Sequence, residues 1–410
     1  MPNVFNSATS QFSLLLSKAA VATLPVLVLA LITSASRHED QQPTVTPVLA
    51  PSDQETRPEL LRDFSDDNPV RFASPDDPLA EQQWNLQSSS SSAGASGLFR
   101  SQEFLTGALD VVVAVVDSGV MMDHEDLNFL PGYDFIHNAV VGNDGDGRDH
   151  DPSDPGDWVN RADISQQTVS DGCQVSASKW HGTAISGIIG ATGYNATGIA
   201  GGSPGVSMLP VRVTGKCGGY VSDLIDGIRW AAGLNVDGVA NNQYPADVIN
   251  LSVGFPGNCS NAMQQAINDA ANAGAILVTA ATNSAVNLDE EPYSPASCDN
   301  VLTVAATDRD GAVTTYTALG EAVFLSAPGG TVSDGIITTQ NDGKDFPVPG
   351  SSYGYHFGTS IAAAHVSSAV ANLLAYQPAL TLDEIKQLLS VSAESIDFDP
   401  KCRSGQCGEG

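Results

Sequence analysis

The sequence predicts a single α/β domain, a three-layer sandwich in which a mostly parallel central sheet lies between two layers of helices. Beyond residue 110, short apolar runs rich in β-branched residues recur, each too short and too continuously apolar for a surface helix. Amphipathic or small-residue segments with good helix formers separate several of these runs, as a covered parallel sheet requires. The chemically capable residues Asp117, His181, Asn283 and Ser360 fall just after such runs or at the opening of helical segments, where open α/β sheets collect their reacting groups.

The expected strands, in order, are residues 111–116, 206–213, 248–253, 275–281, 301–305 and 323–327. Helices are expected over 224–232, 262–273 and 361–376, the last stopping before Pro378, which cannot continue it. Two further openings are predicted at His181-Gly182-Thr183-Ala184 and Gly358-Thr359-Ser360-Ile361. Asp117 then closes the first strand, Asn283 lies just past the fourth, and His181 and Ser360 join them from helix N-termini on the same rim.

The remainder of the chain reads as address and connection. Lys18 precedes an apolar run at 19–31, followed by the small residues Thr33, Ser34, Ala35 and Ser36, which predicts a signal peptide over residues 1–36. An uncleaved anchor is the competing reading, against which stand Pro25 and a run short of the ~20 residues of a membrane span. Residues 37–74 are polar, acidic and proline-bearing, as in a short propeptide or linker. The serine run Ser88 to Ser92, continued by Ala93-Gly94-Ala95, predicts a surface loop within a domain spanning 75–410. With 47 acidic against 17 basic residues the net charge is -30, which excludes a polyanionic partner such as nucleic acid. Six cysteines, an even number, fit an oxidising, extracellular destination, with no stable membrane association after signal removal and a monomeric enzyme expected.

Hydrolysis of an amide needs a nucleophile, a base to take its proton, a group to orient that base and donors for the oxyanion. Ser360 would attack, His181 would accept its proton and return it to the leaving amine, and Asp117 would hold the imidazole tautomer. The oxyanion would be met by the Asn283 side-chain amide and the Ser360 backbone N–H at the positive end of its helix.

Val115-Val116-Asp117-Ser118-Gly119-Val120, His181-Gly182-Thr183 and Gly358-Thr359-Ser360 resemble the three signature motifs of the subtilisin-like serine peptidases, and stand in that family's Asp, His, Ser order. The similarity continues through Val248-Ile249-Asn250-Leu251-Ser252, Pro292-Tyr293-Ser294-Pro295-Ala296 and Ala327-Pro328-Gly329, and so covers roughly residues 75 to 407. Asp77-Pro78-Leu79 to Trp84 resembles a mature N-terminus, which implies processing near residue 75. There are departures. Thr282 stands where many relatives have glycine before the oxyanion asparagine, which implies a narrowed pocket for the side chain preceding the scissile bond. Ile361 and Ala364 replace the usual Met and Pro after the serine, changes a helix accepts. The segment between signal and catalytic domain is shorter than the usual folding propeptide, and at Cys402 to Gly410 relatives continue where this sequence stops.

The resemblance further implies an extended peptide lying between Cys217-Gly218-Gly219-Tyr220 and Ser252-Val253-Gly254 as an added strand. On local sequence alone, Gly218 and Gly219 could equally form an ordinary turn. The segment from Asn143 to Trp158 carries Asp144, Asp146, Asp149, Asp151, Asp154 and Asp157, an oxygen-ligand density suited to Ca²⁺. An EF-hand is excluded, because counting from Asp144 puts Arg148 fifth, Asp149 at the glycine position and Pro155 at the glutamate. A hydrated acidic loop is the plainer reading, but such crowding of like charge calls for a counter-ion, and subtilisin-like enzymes are often calcium-stabilised. Six cysteines leave the connectivity open, and proximity in sequence suggests Cys173 with Cys217, Cys259 with Cys298, and Cys402 with Cys407.

These readings converge on a secreted serine endopeptidase acting on protein or peptide substrates. A subtilase-fold protein that binds peptide without turnover is the alternative, motivated by Thr282 and the short termini. A processing protease of narrow specificity differs from the first only in what it cuts.

Overall fold

The computed structural model describes residues 75–102, 105, 110–170, 172–396, 399–402 and 405–409. The expected signal peptide and propeptide, residues 1–74, lie outside the described residues.

Seven strands form the central sheet: β1 (Val112–Asp117), β2 (Tyr133–Asp134), β3 (Ser207–Arg212), β4 (Val248–Leu251), β5 (Ile276–Ala280), β6 (Val301–Thr307) and β7 (Val323–Pro328). They lie in the order β7-β6-β5-β4-β1-β3-β2, and every neighbouring pair is parallel. Strand order reverses at β1, whose two neighbours are β3 and β4. A crevice at the carboxyl ends of the strands follows from this reversal.

Along β1 the side chains alternate between two cores, because successive strand residues face opposite sides. Val113 and Val115 pack with Ile185, Ile188 and Ile361 on one side. Ala114 and Val116 pack with Leu224, Ile228, Met263 and Ile267 on the other. The first layer holds α1 (His181–Gly190), α4 (Thr359–Tyr376) and α5 (Leu382–Ser392), and the second holds α2 (Val221–Ala231) and α3 (Asn261–Asn272).

The expected elements differ from the observed ones mainly at their ends. The run 248–253 is strand only through Leu251; Val253 then becomes a cleft edge, while Ser252, expected there too, is buried and does not line the cleft. Helix α2 starts at Val221 rather than 224, since buried Asp223 in its first turn takes hydrogen bonds from Arg148 and His137. The short edge strand β2 was not foreseen, and neither were a hairpin and a helix. An antiparallel hairpin joins β8 (Ile336–Gln340) to β9 (Ser352–His356), and α5 is opened by a reciprocal Thr381–Glu384 capping box.

Candidate active site

Asp117 is the last residue of β1 and is buried. Its Oδ1 accepts hydrogen bonds from His181 Nδ1 and from the backbone N–H of Ser118, each at 2.7 Å. Because an ionised carboxylate only accepts, the ring proton sits on Nδ1 and the lone pair of the neutral imidazole is on Nε2. Burial of His181 disfavours the imidazolium, but the charge and hydrogen bond of Asp117 outweigh it and raise the pKa above the ordinary 6.5.

His181 reaches this position because the turn before it is held from several sides. Trp180 is left-handed, with φ 54°, and its indole N–H donates to Gly343 O at 2.8 Å. Gly182 has no substitute: a Cβ there would lie 2.2 Å from Gly119 O.

Ser360 is the second residue of α4, whose entry through Gly358 requires φ 144°. Its Oγ donates to Ser252 O at 3.3 Å, and Ser252 Oγ donates to Ser360 O at 3.1 Å. Behind this pair, Asn250 Nδ2 donates to Ser252 Oγ at 2.9 Å, and Ser367 Oγ donates to Asn250 Oδ1 at 2.9 Å. The end of β4 and the start of α4 are therefore cross-tied through polar side chains. Asn283 faces the same turn, with its Nδ2 3.0 Å from where a Cβ on Gly358 would lie. His356, at the end of β9, is close enough to His181 for the two charges to interact, and burial with that repulsion pushes its pKa down to about 4.

The two expected cleft edges come together. One cleft is lined by Cys217, Gly218, Gly219 and Tyr220 on one side and by Val253, Gly254, Phe255 and Pro256 on the other, with Val213 and Leu224 beneath. Gly218 and Gly219 are exposed and pair with Gly215 and Thr214. Larger hollows lie between residues 88–100 and helices α4 and α5, and contain none of the groups described above. Thr282, next to Asn283, has φ 93°, an unusual conformation for a β-branched residue. Its Oγ1 lies 3.2 Å from Ser284 Oγ.

The acidic segment does not form the expected calcium site. Among the described residues no group of three or more His, Cys, Asp or Glu side chains is placed to hold a metal ion. Its counter-charges are protein groups. Asp144 and Asp134 contact the buried guanidinium of Arg212, while Arg148 leaves the loop to pair with Asp223 and Asp226. Asp149 and Asp151 accept from backbone N–H groups two residues ahead, Asp146 donates its own N–H to Asp144, and Asp157 accepts from the N–H of Lys179. Asp154 is turned inward, where burial pushes its pKa up to about 7. Asp144, Asp146, Arg148, Asp149, Asp151, Asp154 and Asp157 are thus engaged with protein partners, and among the described residues they do not gather into a metal-binding group of side chains.

Cys173 pairs with Cys217, Cys259 with Cys298, and Cys402 with Cys407. The first bridge ties the segment before His181 to the cleft edge. In the sequence, Ser118, Asn250 and Thr359 enter the motifs without a role of their own, and Arg212 enters none. Only Arg212 left a usable signal, a cation ending an apolar strand, which needs buried partners.

Residues 109–410 match the description of the subtilase family. An extracellular protease of Xanthomonas campestris pv. campestris is 43% identical over 303 residues, covering 73% of this chain and 49% of that protein. An extracellular basic protease of Dichelobacter nodosus is also 43% identical over 303 residues, covering 73% of this chain and 48% of its own length. The chain therefore spans about half the length of these curated relatives. Among solved structures, a protease of Pseudoalteromonas arctica superposes with a TM-score of 0.76 at 39% identity, covering 82% of this chain and 96% of the other.

Proposed function

Because the chain belongs to the subtilase family, we propose that it is a secreted serine endopeptidase that hydrolyses peptide bonds through an acyl-enzyme. The 2.7 Å hydrogen bond from His181 Nδ1 to the buried Asp117 carries this reading, since it leaves Nε2 as a base on the rim where Ser360 opens α4. Ser360 Oγ attacks the substrate carbonyl as its proton passes to His181 Nε2. Asp117 stabilises the resulting imidazolium, and the negative oxygen is met by Asn283 Nδ2 and the Ser360 N–H at the head of α4. His181 then gives the proton to the leaving amine, and the C–N bond breaks. Water, deprotonated by the same imidazole, releases the acid and restores the serine.

The substrate lies extended in the cleft between Gly218-Gly219 and Ser252-Val253-Gly254, pairing with backbone groups on both sides. Thr282 narrows the pocket for the residue before the cut. Secretion is supported by the two relatives named as extracellular and by an N-terminal run that reads as a signal peptide.

The test compares the secreted protein with Ser360→Ala on casein, before and after a sulfonyl fluoride. Cleavage by the parent alone, abolished by the reagent, is expected. Equal cleavage by both proteins overturns the reading. A non-catalytic peptide binder has one observation in its favour, that Ser360 Oγ hydrogen-bonds to Ser252 O. That reading requires peptide binding with no covalent capture of Ser360 by the reagent.

A further inference from the structure

The side chain of Asp154 points away from solvent, toward the turn that joins β1 to the segment packed on α1, and is 3% exposed. Its Oδ1 accepts from the Gly156 N–H at 2.8 Å and its Oδ2 accepts from Ser118 Oγ at 3.0 Å. The same Ser118 Oγ accepts the N–H of Gly182, the residue after His181, at 3.1 Å. Ser118 N donates to Asp117 Oδ1 at 2.7 Å. One hydroxyl therefore joins Asp154 to the residue after the base, and the same serine holds the carboxylate that orients it.

The main chain is fixed too. Val120 N donates to Pro152 O at 3.1 Å and Asp154 N donates to Val120 O at 3.0 Å, while Arg212 Nε holds Ser118 O at 3.2 Å. Asp117 Oδ2 is buried and has no hydrogen-bond partner among the described residues. A hydroxyl has one proton, and while Asp154 takes it, Ser118 cannot donate it to the Asp117 carboxylate.

We propose that Asp154 is a positioning residue for the Asp117–His181 pair, acting through the Ser118 hydroxyl. It draws the hydroxyl proton away from Asp117, so the negative charge of that carboxylate stays available to the imidazolium, and it fixes the lone pair that holds Gly182 beneath His181. The proposal rests on the catalytic reading given above.

Asp154→Asn changes the chemistry with little change in volume. The Gly156 N–H demands the amide oxygen, so the amide nitrogen faces Ser118 and the hydrogen bond reverses, which sends the Ser118 proton toward another acceptor. Ser118→Ala removes one oxygen and serves as the second variant should Asp154→Asn fold poorly. Hydrolysis of a chromogenic peptide anilide is followed on the full chain at about pH 9, where Asp154 is ionised, with competent sites counted by sulfonyl fluoride. Each variant is expected to lose about tenfold in kcat with KM within about twofold, the scale of one charge-assisted hydrogen bond expressed in the transition state.

The low-field proton resonance of His181 Nδ1–H is expected to shift in both variants, and the double variant to be no slower than the worse single one. Unchanged kcat and resonance, a loss carried by KM, or losses that multiply in the double variant overturn the proposal. Casein cleavage by Ser360→Ala overturns the catalytic reading instead, so the two failures are distinguishable.

Discussion

Asn283 Oδ1 accepts two hydrogen bonds from Thr359, one from its backbone N–H and one from its hydroxyl, each at 2.9 Å. With the oxygen so occupied, the amide can present only its nitrogen to the cleft, and Nδ2 is the end that donates. The residue before Ser360 thereby orients the side chain that we assign to the oxyanion.

Removing the donor and loosening it should differ in degree. Asn283→Leu is expected to lower kcat by about 10²–10³ with KM little changed, the cost of one missing oxyanion donor. Thr359→Val keeps the shape and the backbone bond but loses the hydroxyl, and a smaller drop of about tenfold is expected. Steady-state kinetics on one peptide substrate measure both. Equal kcat in Thr359→Val and parent would show that the hydroxyl orients nothing.

The base must be neutral to work, so activity falls as pH drops through the His181 pKa. Burial opposes the imidazolium but Asp117 prevails, and the acid limb of kcat/KM is therefore expected at a midpoint above 6.5. Asp117→Asn should move that midpoint down and lower kcat by about 10⁴. A pH profile with an unshifted midpoint in the variant would remove Asp117 from its assigned role.

Thr282 tests specificity and strain together. At φ 93° the Thr282→Gly change relieves a backbone cost of about 1–3 kcal/mol, offset in part by the greater chain entropy of glycine when unfolded. A small rise in Tm is expected. If the side chain narrows the pocket, kcat/KM for a peptide with phenylalanine before the cut should rise about tenfold relative to one with alanine. Parallel changes for both peptides would place Thr282 outside the pocket.

His365 lies on α4 with Nδ1 donating to Ile361 O at 2.8 Å and Nε2 accepting from Asn85 Nδ2 at 2.7 Å, so the ring is held neutral. Burial pushes its pKa down to about 4. The unfolded chain takes up this proton near pH 6.5 and the folded protein does not. Stability from this group is therefore full above pH 6.5 and is lost as pH falls toward 4, by up to about 3 kcal/mol. Buried Asp126, Asp134 and Asp154, with pKa values pushed up to about 6, 7 and 7, act in the opposite sense over this range. Comparing the stability of the parent and His365→Gln by denaturant melts at pH 7 and pH 4 isolates the histidine. A constant difference between them would contradict the assignment.

The sheet was legible because its strands are buried on both faces, and burial of that kind writes continuous apolar runs such as 111–116 and 301–305. The hairpin of β8 and β9 was not, since Thr338, Thr339 and Gln340 on one strand and Gly354 on the other break any apolar alternation. In the site, Asp117, His181, Asn283 and Ser360 stood out because their residue types and order suit one reaction. Their supports did not, because Ser118, Asn250 and Thr359 are ordinary residues whose value comes from which proton each gives and to whom. The pairing of the acidic segment was hidden for a related reason. Sequence counts its carboxylates but not the arginines, Arg148 and Arg212, that reach them from elsewhere or are drawn away.

Helix α4 is buried through Ile361, Ala362, Ala363, Ala364, His365 and Val366, with no face left to water over these residues. Ser360 thus sits on an anvil that cannot yield when a substrate arrives. Adjustment to different peptides falls to the exposed glycines at 218 and 219 and to the turn at Thr282, which separates where this molecule can be retuned from where it must be left alone. Directed changes of specificity belong on those rims, and a library that spares residues 359–371 should retain far more folded members than one that includes them.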